Sequence, residues 1–460
     1  MIRSASVLVA LVLLLAACTV GPDYQRPAQV LPDNHRGAPI EEALPSLASL
    51  PWWKMFADPV LTDLITTSLA NNLDLQLAAA RVQEANAVAA AARAPLWPQL
   101  SAGLTSSPTA RSTGDNATTT FLGGLLFSWE IDFWGRYARA SEAAQADLLA
   151  SEAARDGVQA SLVATVARSY FGLRSLTETA KITESTIEAQ RESLNLVSRL
   201  ADAGVSSAAE VRQAENQLAT TESRLPDIQI SIAQLENSLS VLLGRSPGPI
   251  GGNQLKQELL WPEVPVGLPS ELLERRPDLR QAEQQLIAAN ARVGEAKALF
   301  LPSISLTGTF GGVSTELFDL VKGDAATVVS PGVDLLQPLY AGGKLTANYQ
   351  ANLARLGQAG LAYRQAGLKA LQEVADALIE YNLQAEGIAA QHRREVAARE
   401  GLRLAELRYR SGVVSYLEIL DAQRQLYSAE TERIQAELTR RNAAIALYLA
   451  LGGGWGGNSP

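Results

Sequence analysis

The spacing of apolar residues changes period several times along the chain, and each change predicts a different element. From Asp58 to about Arg93, leucine, isoleucine and alanine recur at helical spacing until Pro95 and Pro98 interrupt the pattern. From residue 99 onward every second residue is apolar, which is typical of a strand with two different faces. A polar stretch at about 106–118 separates this strand from a second one. We therefore predict a β-hairpin at about 99–132, with strands long enough to cross a membrane.

A very long helical pattern follows. From about Tyr137 to Ala203 there is no proline and little glycine, while alanine and charged residues recur at helical spacing. At about 1.5 Å per residue, such a stretch forms one helix or a helix pair on the order of 100 Å long. The returning helix runs to about Leu243, and Pro226 predicts a kink or break within it.

The same order of elements occurs twice. Gly204 and Gly412 lie 208 positions apart, and each is followed three residues later by a Ser-x-x-Glu sequence. Such a glycine ends a helix, and Ser-x-x-Glu is a capping box that begins the next one. We therefore predict an internal duplication with helical hairpin tips at about 202–208 and 410–416. A second β-hairpin is predicted at about 302–340, four residues longer than the first.

The N-terminus resembles a lipoprotein signal. Arg3 precedes a short apolar run, and Ala17 precedes Cys18, the only cysteine in the chain. We interpret residues 1–17 as a signal peptide, Cys18 as the lipidated residue and 18–50 as an anchored tether. The alternative is an ordinary signal peptide with an incidental cysteine. The first repeat then covers 51–250 and the second 251–456.

Four strands cannot cross a membrane alone, because their open edges would leave backbone amides unpaired in hydrocarbon. The sheet must close with further copies of itself. A dimer would give eight strands and a filled interior, whereas a trimer would give twelve strands and room for a lumen. From the residues alone we predict a mainly α protein with two duplicated long helical hairpins and four membrane strands, closed into a barrel by further copies of the chain.

Composition argues against other classes of protein. A net charge of −9 without a basic stripe disfavours nucleic-acid binding. With only His35 and His392 and a single cysteine, the sequence has no metal cluster, catalytic triad or phosphate loop, so we predict neither enzymatic activity nor a cofactor. A purely structural periplasmic coiled-coil lipoprotein is the other rival, and it would not need the four amphipathic strands.

Five motifs in order resemble the outer membrane factor family, also called the TolC superfamily, in its branch of outer membrane efflux lipoproteins. The resemblance covers nearly the whole mature chain. The motifs are Trp52-Trp53-x-x-Phe56-x-Asp58-Pro59-x-Leu61, Asn72-x-Asp74-Leu75-x-x-Ala78-x-Ala80-Arg81-Val82-x-Glu84-Ala85, Phe300-x-Pro302-Ser303-Ile304-Ser305-Leu306, Leu417-x-x-Leu420-Asp421-Ala422-Gln423-Arg424 and Leu447-Tyr448-x-Ala450-Leu451-Gly452-Gly453-Gly454-Trp455.

This resemblance implies a trimeric channel-tunnel of the outer membrane of a Gram-negative bacterium, anchored by lipid on Cys18. In it, the two long helical hairpins of each chain form one third of an α-barrel, and its four strands join a 12-stranded trimeric β-barrel. The same resemblance implies two partners, a periplasmic adaptor protein and an inner-membrane transporter of the RND type. The expected function is export of small molecules such as drugs. An exit channel for type I protein secretion is the alternative, and the sequence does not identify the cargo.

The resemblance also implies a gate at the periplasmic tip. Leu417 and Asp421 would narrow the pore, and Arg424 would tie neighbouring helices together. These three residues fall on one helical face, and an Asp421–Arg424 pair in solvent is the alternative that spacing alone favours. Glu418 is a weaker gate candidate because the capping box already accounts for it. Tyr409 and Arg410 could hold the closed state by hydrogen bonds.

The tips of both hairpins are candidates for contact with the adaptor's helical hairpin. Their residues are short and partly apolar, which suits packing against a coiled coil. Ordinary turn chemistry accounts for the same residues. They are Gly204, Val205, Ser206, Gly412, Val413 and Val414.

Overall fold

The computed structural model describes residues 19–28, 32, 36, 52–109, 118–250 and 272–453. The predicted signal peptide, Cys18 and most of the predicted tether lie outside these residues. Contacts divide the chain into two units, which each include parts of both halves of the sequence. The first unit lies within Met1–Gln29, Ala79–Ala153 and Arg280–Ala366, and the second within Val30–Ala78, Ala154–Leu279 and Gly367–Pro460.

The fold is mainly helical with four antiparallel strands, as the sequence predicts. Short 3-10 helices form at Trp52–Phe56 and Ala94–Leu96. The other elements are α1 (Pro59–Asn71), α2 (Leu73–Arg93), β1 (Gln99–Thr109), β2 (Thr118–Ile131), α3 (Arg136–Asp202), α4 (Ala208–Glu222), α5 (Arg224–Leu242), α6 (Leu272–Arg275), α7 (Pro277–Ala298), β3 (Ser303–Ser314), α8 (Leu317–Lys322), β4 (Ala326–Leu336), α9 (Lys344–Arg410) and α10 (Tyr416–Ala450).

The first unit contains the sheet. Its strands follow the order β1-β2-β3-β4, so β1 and β4 are the edges. Pairing of Leu104 with Gly123, Gly123 with Gly312 and Phe310 with Val329 places the alternating apolar residues of all four strands on one face. The opposite face carries mainly serine, threonine, glycine and Asp334. Helices join all four strands at the same end, and residues 315–325 connect β3 to β4 at the other end.

An extended N-terminal segment, residues 19–28, is also part of the first unit, and we call it the strap. It lies along α7, where Arg26 makes a bidentate ion pair with the buried Glu283. The Arg26 Nε and Nη2 atoms donate to the two carboxylate oxygens at 2.6 and 2.7 Å. Asn290 donates to the Pro22 carbonyl at 2.8 Å, and a Cβ on Gly294 would lie 2.8 Å from the Val20 carbonyl oxygen. Although it has no helix or strand, the strap is therefore fitted to one face of α7.

The second unit has a core of aromatic and aliphatic side chains. Trp52 stacks on Tyr448 with ring centres 5.5 Å apart, and Phe56 contacts Phe171 at 5.0 Å. Asp58 begins α1 by accepting from two backbone amides, and its carboxylate also accepts from the Tyr170 hydroxyl at 2.7 Å. The aromatic segment predicted to pin the tether is thus buried in this core.

Two helices have 67 residues each, α3 and α9, so each is a single helix about 100 Å long. The return from α3 is interrupted at Ser223, between α4 and α5. Pro226 accounts for this break, because it cannot donate to the Glu222 carbonyl and its ring would clash there. Of the helices that the structure describes, none combines the length and apolar content needed to cross a membrane. The boundary between repeats at residue 250 stays a prediction.

Candidate functional site

The second hairpin reverses through a left-handed glycine. Gly412 has φ +72°, and its amide donates to the Tyr409 carbonyl at 2.9 Å. The next amide, of Val413, donates to the Arg408 carbonyl at 3.0 Å. This pattern satisfies the last carbonyls of α9 and closes the helix as the sequence predicts.

The first hairpin reverses in the same way. Gly204 has φ +73° and donates to the Ala201 carbonyl at 2.9 Å, while Val205 donates to Leu200 at 2.8 Å. At both glycines, an added Cβ would meet no atom within 4 Å. The two turns are therefore equivalent in backbone conformation and equally open.

The start of the returning helix differs between the hairpins. In the first, the Ser207 hydroxyl accepts from the Glu210 amide at 3.3 Å, and the Ser206 hydroxyl donates to the Glu210 carboxylate. In the second, Ser415 makes no side-chain cap. The carboxylate of Glu418, the counterpart of Glu210, contacts Arg408 instead of a serine.

The predicted capping box is therefore wrong at the second tip and only half present at the first. Ser415 begins α10 through its backbone carbonyl alone, which accepts from the Glu418 amide at 3.2 Å. Competition accounts for the missing carboxylate half of the box: the Glu418 carboxylate pairs with the guanidinium of Arg408, ten residues earlier, instead of accepting from the Ser415 amide. Arg408 was missed because no local spacing rule connects residues across a turn.

A small apolar core holds the helices together behind the tips. The Tyr416 ring is buried there, and its hydroxyl lies 3.0 Å from the Ser193 hydroxyl of α3. Tyr409 packs edge-on against Tyr416 with ring centres 5.6 Å apart. Burial raises the pKa of both tyrosines. Residues of α3, α4, α9 and α10 share this core, namely Val197, Ala214, Ala405, Tyr416, Ile419 and Leu420.

The three principal gate candidates lie on an exposed face of α10. Leu417 is 53% exposed, and Asp421 and Arg424 are exposed as well. The Asp421 carboxylate accepts from the Gln425 side-chain amide, whereas the Arg424 guanidinium donates to the Leu420 carbonyl at 3.3 Å. Asp421 and Arg424 therefore do not pair with each other, as spacing alone favours, and both side chains remain accessible to solvent.

The remaining predicted site residues lie around the two turns. Val205 and Val413 are the most exposed apolar side chains there, at 75% and 66%. Ser206 and Val414 are half-buried, and Arg410 is exposed. The gate and docking roles of these residues stay predictions, and lipidation of Cys18 falls outside the described residues.

The first hairpin has no charge where the second has its gate candidates. The residues 208 positions before Leu417, Asp421 and Arg424 are Ala209, Gln213 and Asn216. All three are exposed on α4, as their counterparts are on α10. Sequence reasoning missed this asymmetry, although the offset between the two repeats was sufficient to find it.

A ladder of ion pairs supports the second hairpin farther from its tip. Arg433 of α10 contacts Glu178 of α3 at 2.9 Å and Glu395 of α9 at 2.6 Å. Arg399 joins Glu395 at 2.6 Å and Glu430 at 2.8 Å. Ion pairs thus connect the three helices α3, α9 and α10. Among the described residues, no group of three or more histidine, cysteine, aspartate or glutamate side chains could hold a metal ion.

With this geometry in view, comparison with known proteins identifies the family. The family model for outer membrane efflux proteins matches residues 64–245 and 268–453. This chain belongs to that family. It is 36% identical over 461 residues to the probable efflux pump outer membrane protein TtgC of Pseudomonas putida, covering 96% of this chain and 94% of that protein. It is 34% identical over 448 residues to the cation efflux system protein CusC of Escherichia coli K12, covering 96% and 97%.

Solved structures agree with this assignment. The open-state MtrE outer membrane channel of Neisseria gonorrhoeae matches with a TM-score of 0.86 and 33% identity, covering 95% of this chain and 99% of that one. The outer-membrane channel OprN matches with a TM-score of 0.86 and 31% identity, covering 96% and 100%. The chain is therefore an outer membrane component of an efflux system.

Proposed function

We propose that three copies of this chain form a lipid-anchored duct that carries small molecules out across the outer membrane, with its gate at the tip of the second hairpin. The observation that carries this proposal is the sheet, which has one continuous apolar face and two unpaired edges. The apolar face suits lipid and not water, whereas the unpaired edges are unstable in a single copy surrounded by lipid.

The apolar face is suited to hydrocarbon. Leu104, Phe310, Val329 and Val333 are each at least 60% exposed in the single chain. The opposite face presents Ser305, Thr307 and similar residues, which suit a water-filled lumen. This division supports a barrel with its apolar face toward lipid.

Closure follows from the edges. In hydrocarbon each unpaired amide or carbonyl costs several kcal/mol, so β4 of one copy must pair with β1 of the next. Three copies supply twelve strands, which leave a lumen, whereas two copies supply eight and fill it with side chains. A closed ring of three copies satisfies both edges of every chain.

The gate is proposed from the exposed face of α10. Around a threefold axis, three Asp421 carboxylates would repel one another and attract cations, while Leu417 would narrow the aperture. Arg424, which is exposed, would bridge to a neighbouring helix. Tyr409 packs within its own chain and so supports the turn, and the exposed Arg410 is accessible to another copy.

The turns themselves are proposed as contacts for a periplasmic adaptor. The Val205 and Val413 side chains are exposed beside glycines whose surroundings are open. Such small apolar knobs suit the grooves of a helical hairpin. An inner-membrane transporter of the RND type would complete the assembly.

The strap supports the proposed lipid anchor at Cys18. The Val20 amide donates to the Trp134 carbonyl at 3.1 Å, and Thr19 lies against Gly135, just after the end of β2. The chain therefore reaches the helix-bearing end of the sheet one residue after Cys18. An acylated cysteine at this place would be level with the membrane surface, next to the aromatic residues Phe133 and Trp134.

Native mass spectrometry of the full-length protein in detergent tests the assembly, and drug accumulation in a deletion strain tests the activity. We expect a mass of three chains, and restored efflux when the gene is returned. A stable monomer would contradict the assembly. Restored protein secretion with unchanged drug accumulation would favour the type I secretion alternative.

A further inference from the structure

We propose that the short helix α8, in the loop between β3 and β4, is an interfacial element that contacts the acyl chains of outer-leaflet lipids. This inference rests on the proposed function, because it requires the apolar face of the sheet to meet lipid. It assigns a membrane contact to a segment that the sequence pattern did not predict.

The position of α8 is fixed by Leu320. Its side-chain carbons lie 3.5 Å from where a Cβ on Gly123 would be and 3.2 Å from where one on Gly312 would be. These glycines pair across β2 and β3, and their missing side chains leave a hollow that Leu320 covers. The Leu104 side chain borders the same hollow, with its Cδ1 atom 3.3 Å from where a Cβ on Gly123 would be. Since Leu104 and both glycines belong to the apolar face, α8 lies on that face.

Other apolar side chains of α8 are exposed. Phe318 is 71% exposed, Val321 is 82% and Leu317 is 44%. On the face of the sheet that Leu320 covers, Phe310 and Val329 are likewise 60% and 68% exposed. Large apolar side chains in water are unfavourable, and here they extend a surface that already faces lipid.

The height of α8 along the strands places it at the outer edge of the membrane. From Ile304, near the helix-bearing end, to Gly312 is about 27 Å at ~3.4 Å per residue. With strands tilted by about 40°, this is roughly 20 Å along the membrane normal, and the apolar band of such barrels is about 25 Å tall. The contact between Leu320 and the sheet therefore falls near the end of the band away from the helices.

Polar groups hold α8 at this level. The Ser314 hydroxyl at the end of β3 donates to the Asp319 carboxylate at 2.7 Å and accepts from the Glu316 amide at 3.1 Å. Lys322 lies with its ammonium group 5.8 Å from the centre of the Phe318 ring, where it can reach the headgroup layer. The helix thus has one apolar side for acyl chains and a charged end for headgroups, as interfacial helices do.

The experiment uses the full-length protein in liposomes with spin labels at single introduced cysteines. Phe318→Cys and Val321→Cys probe α8, Val333→Cys probes the apolar face within β4, and Asp324→Cys probes the exposed loop. Collision rates with oxygen, which concentrates in lipid, and with a water-soluble nickel complex report each environment. The wild-type chain treated with the same reagent reports any labelling of Cys18.

We expect labels at 318 and 321 to prefer oxygen, as the label at 333 does, but at a shallower depth, and the label at 324 to prefer nickel. Nickel preference at 318 and 321 with oxygen preference at 333 would overturn the inference and leave the proposed barrel intact. Protection from both reagents would mean that a neighbouring copy covers α8, which also overturns it. Nickel preference at 333 would instead contradict the proposed function.

Discussion

The first hairpin turns at Gly204 and the second at Gly412, and the two turns have the same backbone conformation in equally open surroundings. Beyond the turns they differ. The exposed face of α10 carries Leu417, Asp421 and Arg424, whereas α4 carries alanine, glutamine and asparagine at the corresponding positions. The two turns have therefore kept the same backbone geometry, while charge at these three positions is present in only one of them.

The returning helices differ as well. α10 runs unbroken over 35 residues and is tied to α3 and α9 by the ion pairs of Arg433. The first return is split into α4 and α5 at Ser223. The hairpin with the gate candidates is thus the one with the continuous helix and the charged supports, which suits the proposed gate because such a helix would move as a unit.

The largest expected effect comes from the gate candidates. We expect Leu417→Ala combined with Asp421→Ala to raise single-channel conductance in a planar bilayer several-fold and to weaken cation preference, because the constriction and its charge are removed. Gln213→Ala, at the corresponding position of the first hairpin, is the matched control and should leave both unchanged. Equal changes in conductance for the double variant and for Gln213→Ala would contradict the difference between the two hairpins.

The turn glycines should be equally sensitive. Gly204→Ala and Gly412→Ala each place a side chain at positive φ, which costs about 1–2 kcal/mol, and neither adds a clash. Thermal dissociation of the assembly on a gel should shift downward by similar amounts for both. A large shift for one variant and none for the other would show that the turns are not equivalent.

Pro226→Ala should make the first hairpin more like the second. The residue 208 positions later is Ile434, which is buried within the unbroken α10. Because Pro226 is the third residue of α5, where proline is tolerated, we expect a gain of no more than about 1 kcal/mol. Far-ultraviolet circular dichroism should show slightly more helix, and unchanged or lower helix content would argue against Pro226 as the cause of the break.

The smallest effect should come from the pair of Arg408 and Glu418. Both side chains are substantially exposed, so Arg408→Ala should cost only about 0.5 kcal/mol. Ser206→Ala, which removes the corresponding link to Glu210, is the control in the first hairpin. High salt should reduce the effect of Arg408→Ala, and a salt-independent loss would mean that packing is responsible.

Much of this fold could be predicted because its signals are periodic. Strict alternation around Leu100 identified the strands, the absence of proline after Tyr137 identified the long helices, and the repeated glycines identified the turns. These features depend on local chemistry that recurs along the sequence.

What could not be predicted depends on contacts between distant residues. Arg26 and Glu283 are 257 positions apart, so nothing local indicates that the strap binds α7. α8 has six residues, too few for a helical period to be evident. Glu418 pairs with Arg408 and not with Ser415 because the turn brings α9 and α10 together.

Disulfide crosslinking between copies tests the central claim most directly. In the full-length protein, Asp421→Cys and Gln213→Cys are oxidised in membranes and separated on a non-reducing gel, with the wild-type chain as control for Cys18. If three copies bring the second hairpins together around an axis, Asp421→Cys gives chains joined to one another and Gln213→Cys gives few. Crosslinking of both variants to the same extent, or of neither, would contradict the account.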